Sequence, residues 1–227
     1  GHGLDGVIRA RRDRVVGVVN GIDEATWDPG QDPHLPARFH RGDLSGKASC
    51  RRALLREAGL IDDPSAAVMV MVTRLTEQKG VDLVLAALPD LIVSGMQVIV
   101  QGTGDPATEA ALTAACAAYP GRARAWIGYD EARAHRLIAG ADFIAIPSRF
   151  EPCGLTQLYG QRYGTLPIAR RTGGLADTII DDDGQTPARG TGFLFDQPSA
   201  ADLVAACRRA LRAKLNSARW PMLVDNA

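Results

Sequence analysis

VMVMVTRLTEQKGVDLVLAALPDLIVSGMQVIVQGTG, residues 68–104, sets an apolar β-branched run, a charged loop, an amphipathic stretch and a second apolar run in succession. Short continuous apolar runs bounded by turn signals fit strands buried on both faces, and a helix-period stretch between two of them is the crossover of a parallel βαβ unit. The alternation continues through the apolar runs ARAWIG (123–128), DFIAIP (142–147), LPIA (166–169) and GFLF (192–195). Helical candidates lie between or after them: PATEAALTAACAA (106–118), DEARAHRLIAG (130–140), GLTQLYGQRYG (154–164) and SAADLVAACRRALRAKL (199–215). The expectation is an α/β domain over 67–227, a doubly wound, Rossmann-like parallel sheet covered by helices. GGLADTIID begins as a helix, and DDDGQTPARGTG after it reads as an exposed loop.

Residues 1–66 have a different character and are expected to form an interdomain strand and linker segment. VVGVVNGID (15–23) reads as a strand and turn, and the Pro-rich WDPGQDPHLPARF (27–39) as an extended connection. GDLSGKASCRRALLREAGL (42–60) reads as a helix with Asp43 or Ser45 as its cap and Gly59 near its stop. The 26 basic and 26 acidic residues balance, so binding to a polyanion would have to be local, and no nucleic-acid partner is indicated. No apolar run approaches a membrane span and no signal peptide is evident, so a cytoplasmic location is expected. The four cysteines form no CxxC pair, which argues against a zinc site or a disulfide framework.

Ligands of an open parallel sheet bind beyond the carboxyl ends of its strands, where loops converge and helix N-termini present free N–H groups. The loops there read RLTEQKG (74–80), GTGDP (102–106), YDE (129–131), SRFEPCGLTQ (148–157) and RRTGG (170–174). They gather Arg74, Lys79, Tyr129, Arg149, Glu151, Arg170 and Arg171 at one edge. Arg74 and Lys79 are placed to neutralise a diphosphate, Glu151 to accept hydrogen bonds from sugar hydroxyls, and the amides near Gly154, Leu155 and Thr156 to meet an anion. A solvated charged loop is the plain alternative for the first, and a helix-dipole partner for Glu151.

Other patterns point away from chemistry. Gly102-Thr103-Gly104-Asp105-Pro106-Ala107 fits a dinucleotide fingerprint, yet it follows the second strand, and Asp105 as N-cap with Pro106 at the first helical position explains the same residues. Cys153 has no histidine nearby in sequence and reads as a small packed thiol. Asp181-Asp182-Asp183 reads as a solvated turn rather than a metal clamp, and His135 as a surface or packed histidine rather than a base.

Taken together, VNGID (19–23), RLTEQKG, GTGD, SRFEPCGLTQLY (148–159) and YGTLPIARRTGGLADTI (163–179) resemble the signature blocks of bacterial-type glycogen and starch synthases. These are retaining, ADP-glucose-using transferases of the two-Rossmann-domain GT-B architecture. The resemblance implies transfer of glucose to the non-reducing end of an α-1,4-glucan without a metal or other cofactor. It assigns Arg74 and Lys79 to the diphosphate of ADP-glucose and Glu151 to the catalytic centre beside the donor sugar. Cys153 and Gly154 would line the sugar pocket, the Leu155 and Thr156 amides would reach the phosphates, and Gly102 and Gly104 would belong to the donor-binding GTGD block. Tyr129 matches an adenine-side tyrosine, and Asn20 a residue brought to the sugar from the interdomain cleft.

The resemblance also implies an N-terminal Rossmann domain carrying a Lys-x-Gly-Gly-Leu loop, which has no counterpart in this sequence. The expected partners are therefore ADP-glucose or ADP, a glucan acceptor and that second domain, and the 227-residue chain alone is expected to be inactive. Where related families place a second glutamate, this chain has Tyr159, so a paired-carboxylate mechanism is not expected. The competing readings are another GT-B transferase such as a sucrose-synthase-like enzyme, a non-catalytic nucleotide-binding module, and a nicotinamide-binding domain.

Overall fold

Each of the six apolar runs forms a strand. The computed structural model describes residues 3–185 and 189–227. Its strands are β1 (Ala67–Val72), β2 (Met96–Gly102), β3 (Ala123–Ile127), β4 (Phe143–Ile146), β5 (Leu166–Arg170) and β6 (Phe193–Phe195). All neighbouring pairs are parallel, in the order β3-β2-β1-β4-β5-β6. The chain thus winds outward from β1 one way through β2 and β3, then returns to β4 on the other side. The switch point where ligands enter such sheets lies between β1 and β4, whose loops carry RLTEQKG and SRFEPCG.

Successive residues of each strand face opposite layers, so both faces need apolar cover. Met69, Met71, Val98, Val100, Phe143 and Ile168 pack with helices α3 (Val81–Val93), α4 (Pro106–Ala117) and α8 (Ala200–Leu215). Val68, Val70, Ile99, Ile144 and Ala169 face the other way, toward α2 (Ser45–Ala58), α5 (Glu131–Gly140) and Leu175 of α7 (Gly173–Thr178). Helix α6 (Thr156–Arg162) follows the β4 loop on that second face, where Tyr159 packs against the cluster. α4 starts as expected: the Asp105 carboxylate accepts the Thr108 N–H at 2.9 Å and Pro106 is the first helical residue. Asp43 accepts the Ser45 N–H at 3.0 Å at the start of α2, and Gly59 closes that helix in the left-handed conformation.

The structure departs from the sequence reading in the first 45 residues. VVGVVNGID forms no strand: Val16 and Val18 are 86% and 87% exposed, and among the described residues no neighbouring strand supplies the hydrogen bonds that would fix an extended run. A short helix, α1 (Asp5–Ala10), precedes it and buries no residue. WDPGQDPHLPARF is not extended but a chain of turns, because the Asp28 and Asp32 carboxylates accept the N–H groups of Gly30 and His34, two residues on. Packing also continues across residue 66. Phe39, Cys50, Leu54 and Leu55 share one core cluster with Val68 and Val70, and the Arg51 guanidinium donates to Asp142 at 2.6 Å.

Candidate active site

The loop after β4 is held from both sides. Arg149 makes paired hydrogen bonds of 2.7 Å to the carboxylate of Asp82 at the start of α3, and its backbone N–H donates to the Gln78 carbonyl at 2.8 Å. Gln78 Nε2 donates to the Phe150 carbonyl at 3.0 Å. From the β5 side Arg170 donates to the carbonyls of Ser148 and Arg149, and the Gly174 N–H donates to the Glu151 carbonyl at 3.0 Å. A Cβ on Gly174 would stand 2.3 Å from the Cys153 carbonyl oxygen, so the two loops approach this closely only with glycine there. At the bend itself Gly154 has φ +74°, a conformation costly to any residue with a Cβ.

This framework presents Glu151 to Lys79. Lys79 Nζ donates to Glu151 Oε2 at 2.6 Å, and Ser148 Oγ donates to the same oxygen at 3.1 Å. The pair is only 18% and 10% exposed. It lines a cavity of about 400 Å³ together with Asn20, Cys153, Gly154, Leu155 and Thr156. Gln157 also lines it and is fully buried, with Nε2 donating to the Cys153 and Gly154 carbonyls at 3.1 Å and to Thr178 Oγ1 at 3.1 Å.

A second cavity of about 340 Å³ adjoins the first, with Val72, Thr73 and Thr156 lining both. Its character is aromatic and apolar: Trp27, Tyr129, Tyr159, Ala134 and Ile138, with Gln101, Gly102, Thr103 and the exposed Arg74. Trp27 is stacked between His135 and Tyr159, with ring centroids 3.8 Å apart on each side. Behind the stack, buried Asp32 accepts the Tyr163 hydroxyl at 2.7 Å and stands 2.7 Å from His135 Nδ1. Burial and the Asp32 carboxylate hold the Tyr163 hydroxyl far above the usual phenol range.

The candidates from sequence divide accordingly. Glu151, Lys79, Asn20, Cys153, Gly154, Leu155 and Thr156 meet in the first cavity, and Arg74, Gly102, Tyr129 and Thr156 in the second. Gly104 lines neither. A Cβ there would stand 2.0 Å from the Leu75 carbonyl oxygen, which makes it a packing position between the loops after β1 and β2. Of the cations gathered at this edge, Arg149 and Arg170 are used up in holding the loop, and Arg171 pairs with Asp181 and Asp196. Arg74 has one long contact of 3.5 Å to Gln78, which leaves its guanidinium available.

One reading is corrected here and another is narrowed to one of its alternatives. Asp181 and Asp182 are not a solvated turn: Asp181 accepts from Arg171, Arg209 and the Leu194 N–H, and Asp182, 5% exposed, pairs with Arg219. Of the loop DDDGQTPARGTG, residues 186–188 lie outside the described residues. His135 is packed, 1% exposed. Sequence reasoning missed Trp27, Gln101, Ser148 and Gln157. No local period marks a lone tryptophan in a turn-rich segment, and a glutamine near the end of an apolar strand gives no sign of what it faces.

A doubly wound parallel sheet with a charge pair and an aromatic cavity side by side at its switch point is an α/β ligand-binding domain, and its similarity to known proteins makes it one of the GT-B glycosyltransferase type. The chain belongs to the Glycosyl transferases group 1 family, whose model matches residues 56–221. Among its curated relatives are glycogen synthases: that of Anaeromyxobacter dehalogenans (strain 2CP-1 / ATCC BAA-258) is 52% identical over 225 residues, 99% of this chain and 47% of that protein. The glycogen synthase of Halorhodospira halophila (strain DSM 244 / SL1) is 50% identical over 97% of this chain and 46% of that protein. Of the solved structures, the catalytic domain of starch synthase IV from Arabidopsis thaliana bound to ADP and acarbose superposes with a TM-score of 0.92 at 34% identity, over 99% of this chain and 47% of that one. The chain therefore spans about half the length of the curated relatives it matches. Among the described residues no helix is long and apolar enough to cross a membrane.

Proposed function

We propose that this chain is the donor-binding domain of a glycogen or starch synthase, which transfers glucose from ADP-glucose to the non-reducing end of an α-1,4-glucan with retention, in the cytoplasm. The observation that carries the reading is the pairing of the two cavities. One holds a charge pair suited to a sugar diphosphate and the other is an aromatic slot suited to a base, and they meet at Thr73 and Thr156. The glycogen synthase relatives and the starch synthase structure bound to ADP support it.

On this reading Arg74 and Lys79 hold the diphosphate and stabilise the charge that grows on it as ADP departs, without a metal. The phosphates compete with Glu151 for the Lys79 ammonium, which frees the carboxylate to face the sugar beside Asn20, Cys153 and Gly154. The Leu155 and Thr156 amides meet the phosphates, and Tyr129 lies on the base side next to Gly102. Glu151 is not a nucleophile. The position where a second glutamate would stand is Tyr159, already stacked on Trp27, so the departing phosphate itself helps take the proton of the acceptor hydroxyl in a same-face displacement. Turnover needs a second domain to close over the site and exclude water.

Titration of the chain with ADP and UDP by calorimetry tests this. Tighter binding of ADP is expected. A preference for UDP would move the reading to another GT-B transferase, and glycogen binding without any nucleotide binding would favour a non-catalytic module.

A further inference from the structure

We infer that Gln101 reads the base of the bound nucleotide, its Oε1 accepting a hydrogen bond from the exocyclic amino group of an adenine-type base in the aromatic cavity; this rests on the donor-binding reading above. Gln101 is the next-to-last residue of β2, is fully buried and lines that cavity. Its Nε2 donates to the Asp130 carbonyl at 2.8 Å. A carbonyl can only accept, so the NH₂ end of the amide must face Asp130, and the orientation of the group is fixed.

The anchor itself is rigid. Asp130 is the N-cap of α5: its side chain accepts the Arg133 N–H at 2.9 Å, and its carbonyl also takes the Ala134 N–H at 2.9 Å. Gln101 Oε1 is left buried with no hydrogen-bond partner among the described residues. Buried acceptors are nearly always satisfied, and one that lines a cavity between Trp27, Tyr129 and Ile138 calls for a donor on whatever flat group fills that cavity. Adenine supplies one in its amino group. Hypoxanthine and uracil present a carbonyl oxygen at the corresponding edge, which would set acceptor against acceptor and leave Gln101 unpaired.

The test compares ADP with inosine diphosphate, which keeps the purine, ribose and phosphates and replaces the amino group by a carbonyl. Calorimetry on the 227-residue chain should give at least about tenfold tighter binding of ADP than of inosine diphosphate, since a site built around a hydrogen bond rejects the analogue that lacks it. Gln101→Leu should weaken ADP by about the same factor while changing inosine diphosphate little, so that the ratio falls toward one. Gln101→Met, unbranched and without the amide, should behave the same way if the leucine variant fails to fold. Equal binding of the two nucleotides by the unmodified chain would overturn the inference, as would a ratio preserved in a folded variant. In both cases ADP binding itself leaves the proposed function standing, whereas absence of any nucleotide binding would remove both.

Discussion

Glu151→Gln separates what the carboxylate does for Lys79 from what it does for the reaction. The ion pair is 2.6 Å long and less than a fifth exposed on either side. A hydrogen bond involving a charged group contributes about 1.5–3 kcal/mol, and the bond from the Lys79 ammonium to an amide oxygen remains one, so the substitution moves it from the upper toward the lower end of that range. The variant keeps an acceptor for Lys79 and Ser148 but loses the charge, so the folded chain should be less stable by about 1 kcal/mol, or roughly 2–4 °C in melting temperature for a domain of this size. The same loss works in favour of the ligand. The diphosphate no longer competes with a carboxylate for Lys79, so ADP should bind tighter by about 1 kcal/mol, a factor of about five. Turnover should move the opposite way. In the enzyme that carries this domain together with the rest of the relatives' length, kcat for glucosyl transfer should fall by about 10² or more, because only interactions that strengthen in the transition state raise kcat. Calorimetry, a thermal melt and a steady-state transfer assay read the three effects. Weaker ADP binding would refute the competition argument, and near-wild-type kcat would remove Glu151 from catalysis.

Lys79→Ala leaves the Glu151 carboxylate facing the phosphates without its partner, so ADP binding should weaken more than in Arg74→Ala, where an exposed guanidinium is screened by solvent; equal affinity in both variants and the unmodified chain, by calorimetry, would contradict the phosphate roles. Gly102→Ala would place a Cβ 1.9 Å from the Thr73 carbonyl oxygen, and a denaturant melt should show a loss of about 1–3 kcal/mol or more from the forced backbone shift. Cys153 is the half-buried cysteine at the first cavity while Cys50, Cys116 and Cys207 are buried, so a thiol reagent should label it first and ADP should slow that labelling; labelling indifferent to ADP would place the phosphates elsewhere. Burial pushes the Cys207 thiol up to about 12 from its ordinary value of 9.0. The unfolded chain therefore gives up this proton at lower pH than the folded one, so the contribution is intact below about 9 and stability falls as pH rises toward about 12. The melting temperature should drop across that range, and more shallowly in Cys207→Ala.

The sequence by itself determined the strands, most of the helices and the loops that carry the site. Those features are local: continuous apolar runs such as 68–72, a cap such as Asp105 with Pro106, and a stop such as Gly59 are decided by neighbours a few residues away. The family blocks were legible for the same reason, since RLTEQKG and SRFEPCG are contiguous stretches. What each charged or polar side chain does was settled only by residues far along the chain. Lys79 meets Glu151 across 72 residues, and Asp32 meets His135 across 103. Arg149 and Arg170 resemble Arg74 in sequence, yet close acceptors occupy them in the fold while Arg74 keeps only a long contact. The Val-rich stretch 15–19 has strand composition but no strand beside it, and a strand is a property of a pair. The unpaired oxygen of Gln101 is of the same kind: its meaning comes from the Asp130 carbonyl that holds the other end of the amide and from the cavity that its side chain lines, neither of which any local pattern encodes.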